Sequence, residues 1–224
     1  LNLTETCLDA RIADGLGDKV AIDWVGEDGS RRRWTYSDLT AEASRVASAL
    51  ATRGVRPGQA VGIYMPMIPE IEAALLGIAR LGAVAVPLFS GFAPHAIVSR
   101  LNDADAVAVL TADATPRRGK PVWMEATLAQ ALTDVPSVHT VISLRRFGDA
   151  VADPARDLDW TETVGRASPE FAAVPVSADD TFLIAYTSGT TGRPKGVVYS
   201  HRGAWTNAVN NVVTWEMPHH PVYL

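Results

Sequence analysis

The stretch Thr181–Tyr199, TFLIAYTSGTTGRPKGVVY, decides how the rest of the sequence is interpreted. An apolar strand is predicted over 181–186, a polar loop over 187–196 and a second strand over 197–199. The loop holds four hydroxyl side chains, three glycines and one lysine. Glycines let successive backbone N–H groups point into one concavity, and hydroxyls add further donors, so this composition favours a loop that holds an anion. Lys195 would supply the compensating positive charge. The alternative interpretation is a solvated hairpin loop.

The loop differs from two well-known motifs. In a Walker phosphate loop a glycine precedes the lysine and a hydroxyl residue follows it, whereas here Pro194 precedes Lys195 and Gly196 follows it. A strand rather than a helix is predicted next, so no helix dipole would point at the phosphates. Tyr186 occupies the position of the first glycine of a G-x-S-x-G motif, so Ser188 is not predicted to be a nucleophile.

Upstream of the loop, short apolar segments alternate with segments of helical periodicity. This alternation predicts an α/β fold with parallel sheets flanked by helices. Strands are predicted over 60–64, 83–88, 106–111 and 140–143, a hairpin over 21–36, helices from a Ser37 N-cap, from Pro69 and from Pro94, a weaker helix around 128–132, a loop over 112–121, and a long surface connection over 145–180. A final helix is predicted over 202–214, with Trp205, Val209 and Val212 at core spacing.

Composition excludes several classes of protein. With 224 residues, 47% hydrophobic and 20% charged, the chain can bury a core as one to two domains. Its single cysteine, Cys7, excludes a disulfide scaffold, and a net charge of −5 argues against nucleic-acid binding. No segment reads as a membrane span or a signal peptide. His219 and His220 have no third ligand nearby in the sequence, so no metal site is predicted.

The segment Tyr186–Val198, YTSGTTGRPKGVV, resembles the signature of the AMP-forming adenylating superfamily of acyl-CoA synthetases, peptide-synthetase adenylation domains and luciferases. Other stretches resemble its acetyl-CoA synthetase-like branch, and beyond Gly196 the sequence is more similar to medium-chain or aryl acyl-CoA ligases. The stretches are LNLTETCLDA at the start, YMPMIPE over 64–70, PLFSGFAP over 87–94, RRGK over 117–120 and RASPE over 166–170.

The resemblance implies two half-reactions. A carboxylic acid attacks the α-phosphorus of ATP with release of pyrophosphate, and the acyl-adenylate is then captured by a thiol, here coenzyme A. It also implies Mg²⁺ as a cofactor and a set of residues that hold the β- and γ-phosphates. That set is Thr187, Ser188, Gly189, Thr190, Thr191 and Lys195.

The resemblance further implies how the chain is organised. Residues 1–178 would form the first α/β subdomain of the large N-terminal domain, and 179–224 the phosphate-binding loop and the start of a second. Both ends look cut, so we expect the catalytic lysine, the adenine and ribose motifs, the Mg²⁺ ligand and the small C-terminal domain to follow Leu224. The chain alone would then be inactive.

A second candidate site is the basic cluster Arg117, Arg118, Gly119 and Lys120. Three cations beside a glycine can grip a phosphate, although a solvated basic loop would look the same in sequence. The resemblance implies that this cluster contacts the nucleotide end of coenzyme A.

Two rival functions stay open at this point. One is an adenylation domain that loads a carrier protein, against which the basic cluster argues mildly, and the other is a non-catalytic nucleotide-binding fragment. The resemblance also implies a cytoplasmic location and a role in fatty acid metabolism. It leaves open which carboxylic acid is the substrate and whether the chain forms a homo-oligomer.

Overall fold

The computed structural model describes residues 1–148, 153, 156–187, 194–218 and 221–222. Within them, three sheets are formed, and one of these is a central sheet of seven strands. In chain order the strands are β1 (Val20–Val25), β2 (Arg31–Thr35), β3 (Ala60–Tyr64), β4 (Val84–Pro87), β5 (Ala108–Ala112), β6 (Ala114–Arg117), β7 (Lys120–Trp123), β8 (Thr140–Leu144), β9 (Asp157–Asp159), β10 (Thr181–Thr187) and β11 (Lys195–Ser200).

The central sheet has the order β11-β10-β4-β3-β5-β8-β9. All its neighbouring pairs are parallel except β10 and β11, which run antiparallel as a hairpin. Since helices connect β3 to β4, β4 to β5 and β5 to β8, the predicted α/β fold with a parallel sheet flanked by helices is confirmed. The strands on both sides of residue 178 share this one sheet, because Leu183 of β10 pairs with Ala85 of β4. The predicted subdomain boundary at 178/179 stays a prediction.

Local signals explain where the helices begin. The first helical element is a short π-helical turn over Glu5–Asp9. Pro69 and Pro94 each occupy the first position of a later helix, where a missing N–H costs nothing. The helices are α1 (Ala10–Ala13), α2 (Tyr36–Thr52), α3 (Pro69–Arg80), α4 (Pro94–Asp103), α5 (Met124–Leu132), α6 (Trp160–Thr163) and α7 (His201–Thr214).

The prediction that Ser37 caps α2 is wrong. Thr35 is the N-cap, because its hydroxyl accepts a hydrogen bond from the Asp38 amide while the Asp38 carboxylate accepts one from the Thr35 amide. This reciprocal capping box satisfies two amides at the helix start, which Ser37 could not do.

The core lies on both faces of the central sheet. Every residue of β3 and β5 is buried, as expected for central parallel strands that are covered on both sides. Helices α2 and α3 pack closely on one face at Gly77, where an added Cβ would lie 2.6 Å from the Val46 Cβ. Helices α4 and α5 contact each other, and buried residues of both belong to a cluster that also includes residues of β3 and β5.

Three further predictions need correction. The predicted loop over 112–121 contains most of a second hairpin, β6–β7, and the predicted surface connection over 145–180 contains β9 and α6. Each of these strands and the helix is only three or four residues long, so hydrophobic periodicity could not identify them. Helix α7 exposes the apolar residues predicted to be core, with Trp205 at 55%.

The amino-terminal segment is tied to the far end of the chain. The Asn2 side-chain amide donates to the Ala79 and Val174 carbonyls, and the Leu3 amide donates to Nδ1 of the buried His201. These bonds join α3, the connection before β10 and the start of α7. Among the described residues, no helix is both long and apolar enough to cross a membrane.

Candidate functional site

The topology places a crevice at the carboxyl edge of the central sheet. The chain passes from β3 to β4 on one side and then to β5 on the other side of β3, so successive connections diverge between β3 and β5. Ligands of open α/β sheets bind at such a switch point. A cavity of about 240 Å³ lies there, lined by residues that include Pro66, Met67 and Pro116. The Thr111 hydroxyl donates to the Tyr64 carbonyl at 2.8 Å and ties the two strand ends together.

The basic cluster forms the turn of the β6–β7 hairpin beside this crevice. Arg117 pairs with Lys120, and the two residues between them, Arg118 and Gly119, have positive φ angles of 53° and 73°. A two-residue turn of this kind suits the twist of a hairpin, and glycine adopts it without strain. The cluster is exposed, and a cavity of about 380 Å³ with Gly119 and Lys120 in its wall adjoins it.

The hairpin leans on the turn between β1 and β2. The Arg118 amide donates to Oε1 of Glu27 at 2.7 Å, although the two residues are 91 positions apart in the chain. This contact fixes the hairpin tip against the turn between β1 and β2 and leaves Arg118 exposed.

A buried carboxylate holds the crevice wall together. Asp113, at the end of β5, accepts hydrogen bonds from the amides of Ala114, Arg146, Phe147 and Gly148 at 2.7–3.0 Å. Its carbonyl also accepts from the first two amides of α5. Sequence analysis did not single out Asp113, since an aspartate after a strand reads as an ordinary loop residue.

Two adjacent arginines follow β8 and have different environments. Arg145 pairs with Glu125, which also accepts a hydrogen bond from the Ser143 hydroxyl. Arg146 instead lines both cavities, and its guanidinium lies 5.4 Å from the centre of the Phe147 ring. Sequence analysis missed Arg146 because nothing local distinguishes it from Arg145.

The described ends of the predicted phosphate-binding loop, Thr187 and Lys195, lie at the same edge of the sheet. Thr187, the last residue of β10, pairs with Lys195, the first residue of β11, and both are exposed. Ser188, Gly189, Thr190 and Thr191 lie outside the described residues. Because β10 is parallel to β4, its carboxyl end meets the same sheet edge as those of β3 and β5.

Tyr186 anchors the strand directly before that loop. Its hydroxyl donates to Oδ2 of Asp103 at 2.6 Å, and the Arg100 guanidinium lies 4.2 Å from the Phe92 ring centre and 5.8 Å from that of Tyr186. Burial, together with the Asp103 carboxylate, raises the pKa of the Tyr186 phenol well above its ordinary value. The phenol therefore acts as a donor that pins β10 to α4.

The acidic, histidine and cysteine side chains of the described residues are not arranged to hold a metal ion. Across the described ranges, no cluster of three or more His, Cys, Asp and Glu side chains has that arrangement. His219 and His220 lie outside the described residues.

An open, mostly parallel α/β sheet with basic and hydroxyl groups gathered at its carboxyl edge defines a class of ligand-binding α/β proteins. The chain belongs to the family described as AMP-binding enzyme, which matches it over residues 10–224. The resemblance to AMP-forming acyl-CoA synthetases is thereby confirmed.

Individual relatives agree with this family. The chain is 42% identical over 217 residues to the acetyl-coenzyme A synthetase of Rubrobacter xylanophilus, an alignment that covers 96% of this chain and 34% of that enzyme. It is 43% identical over 210 residues to the acetyl-coenzyme A synthetase of Mycobacterium tuberculosis, covering 92% of this chain and 32% of that enzyme. The acyl-CoA synthetase of Brucella canis has a similar structure, with a TM-score of 0.78 and 28% identity over 94% of this chain and 35% of that one. The chain thus spans about a third of the length of these relatives.

Proposed function

We propose that this chain binds ATP and coenzyme A for an AMP-forming acyl-CoA synthetase. The observation that carries the proposal is that Thr187 and Lys195 pair at the sheet edge where β5 ends and the hairpin with the basic turn over 117–120 begins. Residues at one edge of the sheet would then bind the phosphates of both cosubstrates in a shared crevice. The proposal rests on the family and on relatives named as acetyl-coenzyme A synthetases.

In this proposal the residues of the phosphate loop bind and orient rather than transfer protons. The hydroxyls of Thr187, Ser188, Thr190 and Thr191 and the Lys195 ammonium hold the β- and γ-phosphates of ATP, with Gly189 allowing the backbone to approach. Bound ATP supplies an α-phosphorus for attack by a carboxylate, with pyrophosphate as the leaving group. Mg²⁺ would reach the site with the nucleotide, because this ion keeps several waters and phosphate oxygens as ligands.

The basic turn is assigned to the second half-reaction. Arg117, Arg118 and Lys120 would contact the phosphates of coenzyme A, which favours a free thiol cosubstrate over a carrier protein. Acetate is the first acid to test, and medium-chain and aryl acids follow because of the sequence beyond Gly196. We place this activation of acids, including fatty acids, in the cytoplasm.

Binding of MgATP tests the phosphate-loop assignment. Contacts from one loop should give a Kd in the high-micromolar to millimolar range by titration calorimetry, which corresponds to about 4–5 kcal/mol. Lys195→Ala should weaken this binding by roughly 1.5–3 kcal/mol, the scale of a hydrogen bond to a charged group. Arg53→Gln is the matched control, because Arg53 is exposed at the end of α2. Equal Kd values for wild type and Lys195→Ala would refute the assignment.

Reaction class requires a separate assay. Exchange of labelled pyrophosphate into ATP, run on the complete protein with acetate, medium-chain and aryl acids, should depend on one of the acids. Nucleotide binding without exchange for any acid would favour a non-catalytic nucleotide-binding protein. Exchange that is followed by acyl transfer to a carrier protein, but not to coenzyme A, would favour the other rival.

A further inference from the structure

We propose that Arg146 is an anion-binding residue of the crevice, which contacts a phosphate of the thiol cosubstrate and so selects coenzyme A over thiols that lack phosphate. This inference rests on the proposed function, since it names the ligand by that reaction. It adds a residue outside the basic turn over 117–120.

Arg146 lies where two cavities meet the same side chain. Arg146 lines the cavity at the switch point between β3 and β5 and also the cavity beside the β6–β7 turn. Lys120 and Gly119 belong to the wall of the second cavity alone. Of the described residues, Arg146 is the one cationic residue that lines both of these cavities, so a ligand that reaches from the basic turn into the crevice would meet its positive charge.

Among the described residues, no ion pair neutralises the charge of the Arg146 guanidinium. Within the described ranges, the Arg146 guanidinium makes one hydrogen bond, a long one from Nη1 to the Ala114 carbonyl at 3.4 Å. Burial lowers the pKa of this guanidinium relative to an exposed arginine, which marks the cost of keeping its charge there. A phosphate would recover that cost through charge-assisted hydrogen bonds.

The carboxylates around Arg146 are engaged by other donors. Glu27 accepts from the Arg118 amide, Asp28 accepts from the Ser30 amide and hydroxyl, and Glu70 forms a two-pronged pair with Arg32. Asp113 is saturated by four backbone amides, one of which belongs to Arg146 itself. The charges of Glu70, Asp113 and Asp28 act on Arg146, but among the described residues none of these carboxylates forms an ion pair with it.

The Arg146 side chain is held in place by its neighbours before a ligand binds. Asp113 fixes the backbone over 146–148, and the Phe147 ring lies against the guanidinium. The adjacent Arg145 faces the other way, toward Glu125 and Asp159. An arginine held in one orientation loses less entropy when a ligand binds, which strengthens each contact.

Titration calorimetry on the 224-residue chain tests the inference with three probes: coenzyme A, 3′,5′-ADP and pantetheine, the last of which lacks phosphate. Arg146→Gln should weaken binding of coenzyme A and 3′,5′-ADP about tenfold and leave pantetheine binding unchanged. Arg146→Lys should recover part of the loss, because a lysine keeps the charge but not the fork of donors. Arg53→Gln is the charge-matched control, and an unchanged Tm excludes a folding effect.

Each other outcome overturns something specific. If the Arg117, Arg118 and Lys120 to Ala variants lose coenzyme A but Arg146→Gln does not, the inference is wrong and the proposed function stands. If Arg146→Gln weakens MgATP and spares coenzyme A, Arg146 belongs to the nucleotide triphosphate and the inference is also wrong. If the wild-type chain binds no coenzyme A at millimolar concentration, the coenzyme A half of the proposed function is wrong together with the inference.

Discussion

The carboxylate of Asp113 is the group whose removal should do most damage to the crevice wall. It is 1% exposed and accepts four backbone hydrogen bonds, three of them from residues 146–148. Asp113→Ala removes every acceptor at once. The amides of Arg146, Phe147 and Gly148 would then have no protein partner on this side.

The expected cost follows from those four bonds. A hydrogen bond to a charged group contributes about 1.5–3 kcal/mol, and a stranded buried donor costs about 1–3 kcal/mol. Phe147 is exposed and Gly148 is half-buried, so water can replace part of what is lost. We therefore expect the free energy of unfolding to fall by about 3 kcal/mol for Asp113→Ala. Asp113→Asn keeps one acceptor oxygen and should cost less, about 1–2 kcal/mol.

Urea denaturation followed by tryptophan fluorescence measures this change. With a slope of about 2–3 kcal/mol per molar urea, the midpoint should fall by about 1–1.5 M for Asp113→Ala. Asp18→Ala is the control, because Asp18 is exposed and forms no hydrogen bond or ion pair among the described residues. Hydrogen exchange should in addition show lost protection at the amides over 146–148. A midpoint within 0.3 M of wild type (about 1 kcal/mol or less) would refute the reasoning. The four hydrogen bonds to the Asp113 carboxylate would then contribute little beyond what water provides.

Three other predictions concern packing, pH and thiol reactivity. Gly77→Ala should destabilise the chain by about 2–3 kcal/mol in urea, because the new Cβ meets the Val46 Cβ at 2.6 Å; a gain of about 1 kcal/mol, as helix propensity alone predicts, would contradict this. Burial lowers the pKa of His201 below its ordinary value of 6.5, so the unfolded chain binds the proton more tightly and stability should decrease as pH falls below about 6.5. His201→Gln should flatten that pH dependence in urea midpoints measured from pH 5 to 8, and an unchanged slope would exclude the histidine as its source. Burial raises the pKa of Cys7 to about 11, so iodoacetamide at pH 8 should label it far more slowly in the folded chain than in urea; equal rates would contradict the burial.

Much of the fold could be predicted because its signals are local. The strand over 60–64 is a continuous apolar run and coincides with β3, and Pro69 and Pro94 begin α3 and α4 as expected. Element type depends on backbone and side-chain preferences within a few residues, and these are present in any sequence window. The two strands around the loop are predicted in the same way, but Thr187 and Lys195, which the sequence analysis places in the loop, pair as the end residues of β10 and β11.

Other features depend on residues that are distant in the chain. Helix α7 has the spacing of a core helix, yet Trp205 and Val212 are exposed because the described residues supply no partner for that face. The β6–β7 hairpin is short and contains two prolines, so only its contact with Glu27, 91 residues away from Arg118, reveals its placement. Periodicity cannot report such contacts, because it records the neighbours along the chain and not those across it.

The sequence by itself determined the α/β class, the family and the residue types of the phosphate loop and the basic turn, because each of these is written in a short contiguous segment. Only the tertiary structure decided that Thr187 and Lys195, the described ends of the loop, lie at the sheet edge where β5 ends and the β6–β7 hairpin begins. It also decided that Arg145 joins an internal ion pair while Arg146 faces a cavity. The physical reason is that the surroundings of a side chain are set by the strand order and by buried carboxylates such as Asp113 that hold the connecting loops. Strand order and loop placement bring together residues at the ends of β3, β5, β6 and β8 that are far apart in the chain.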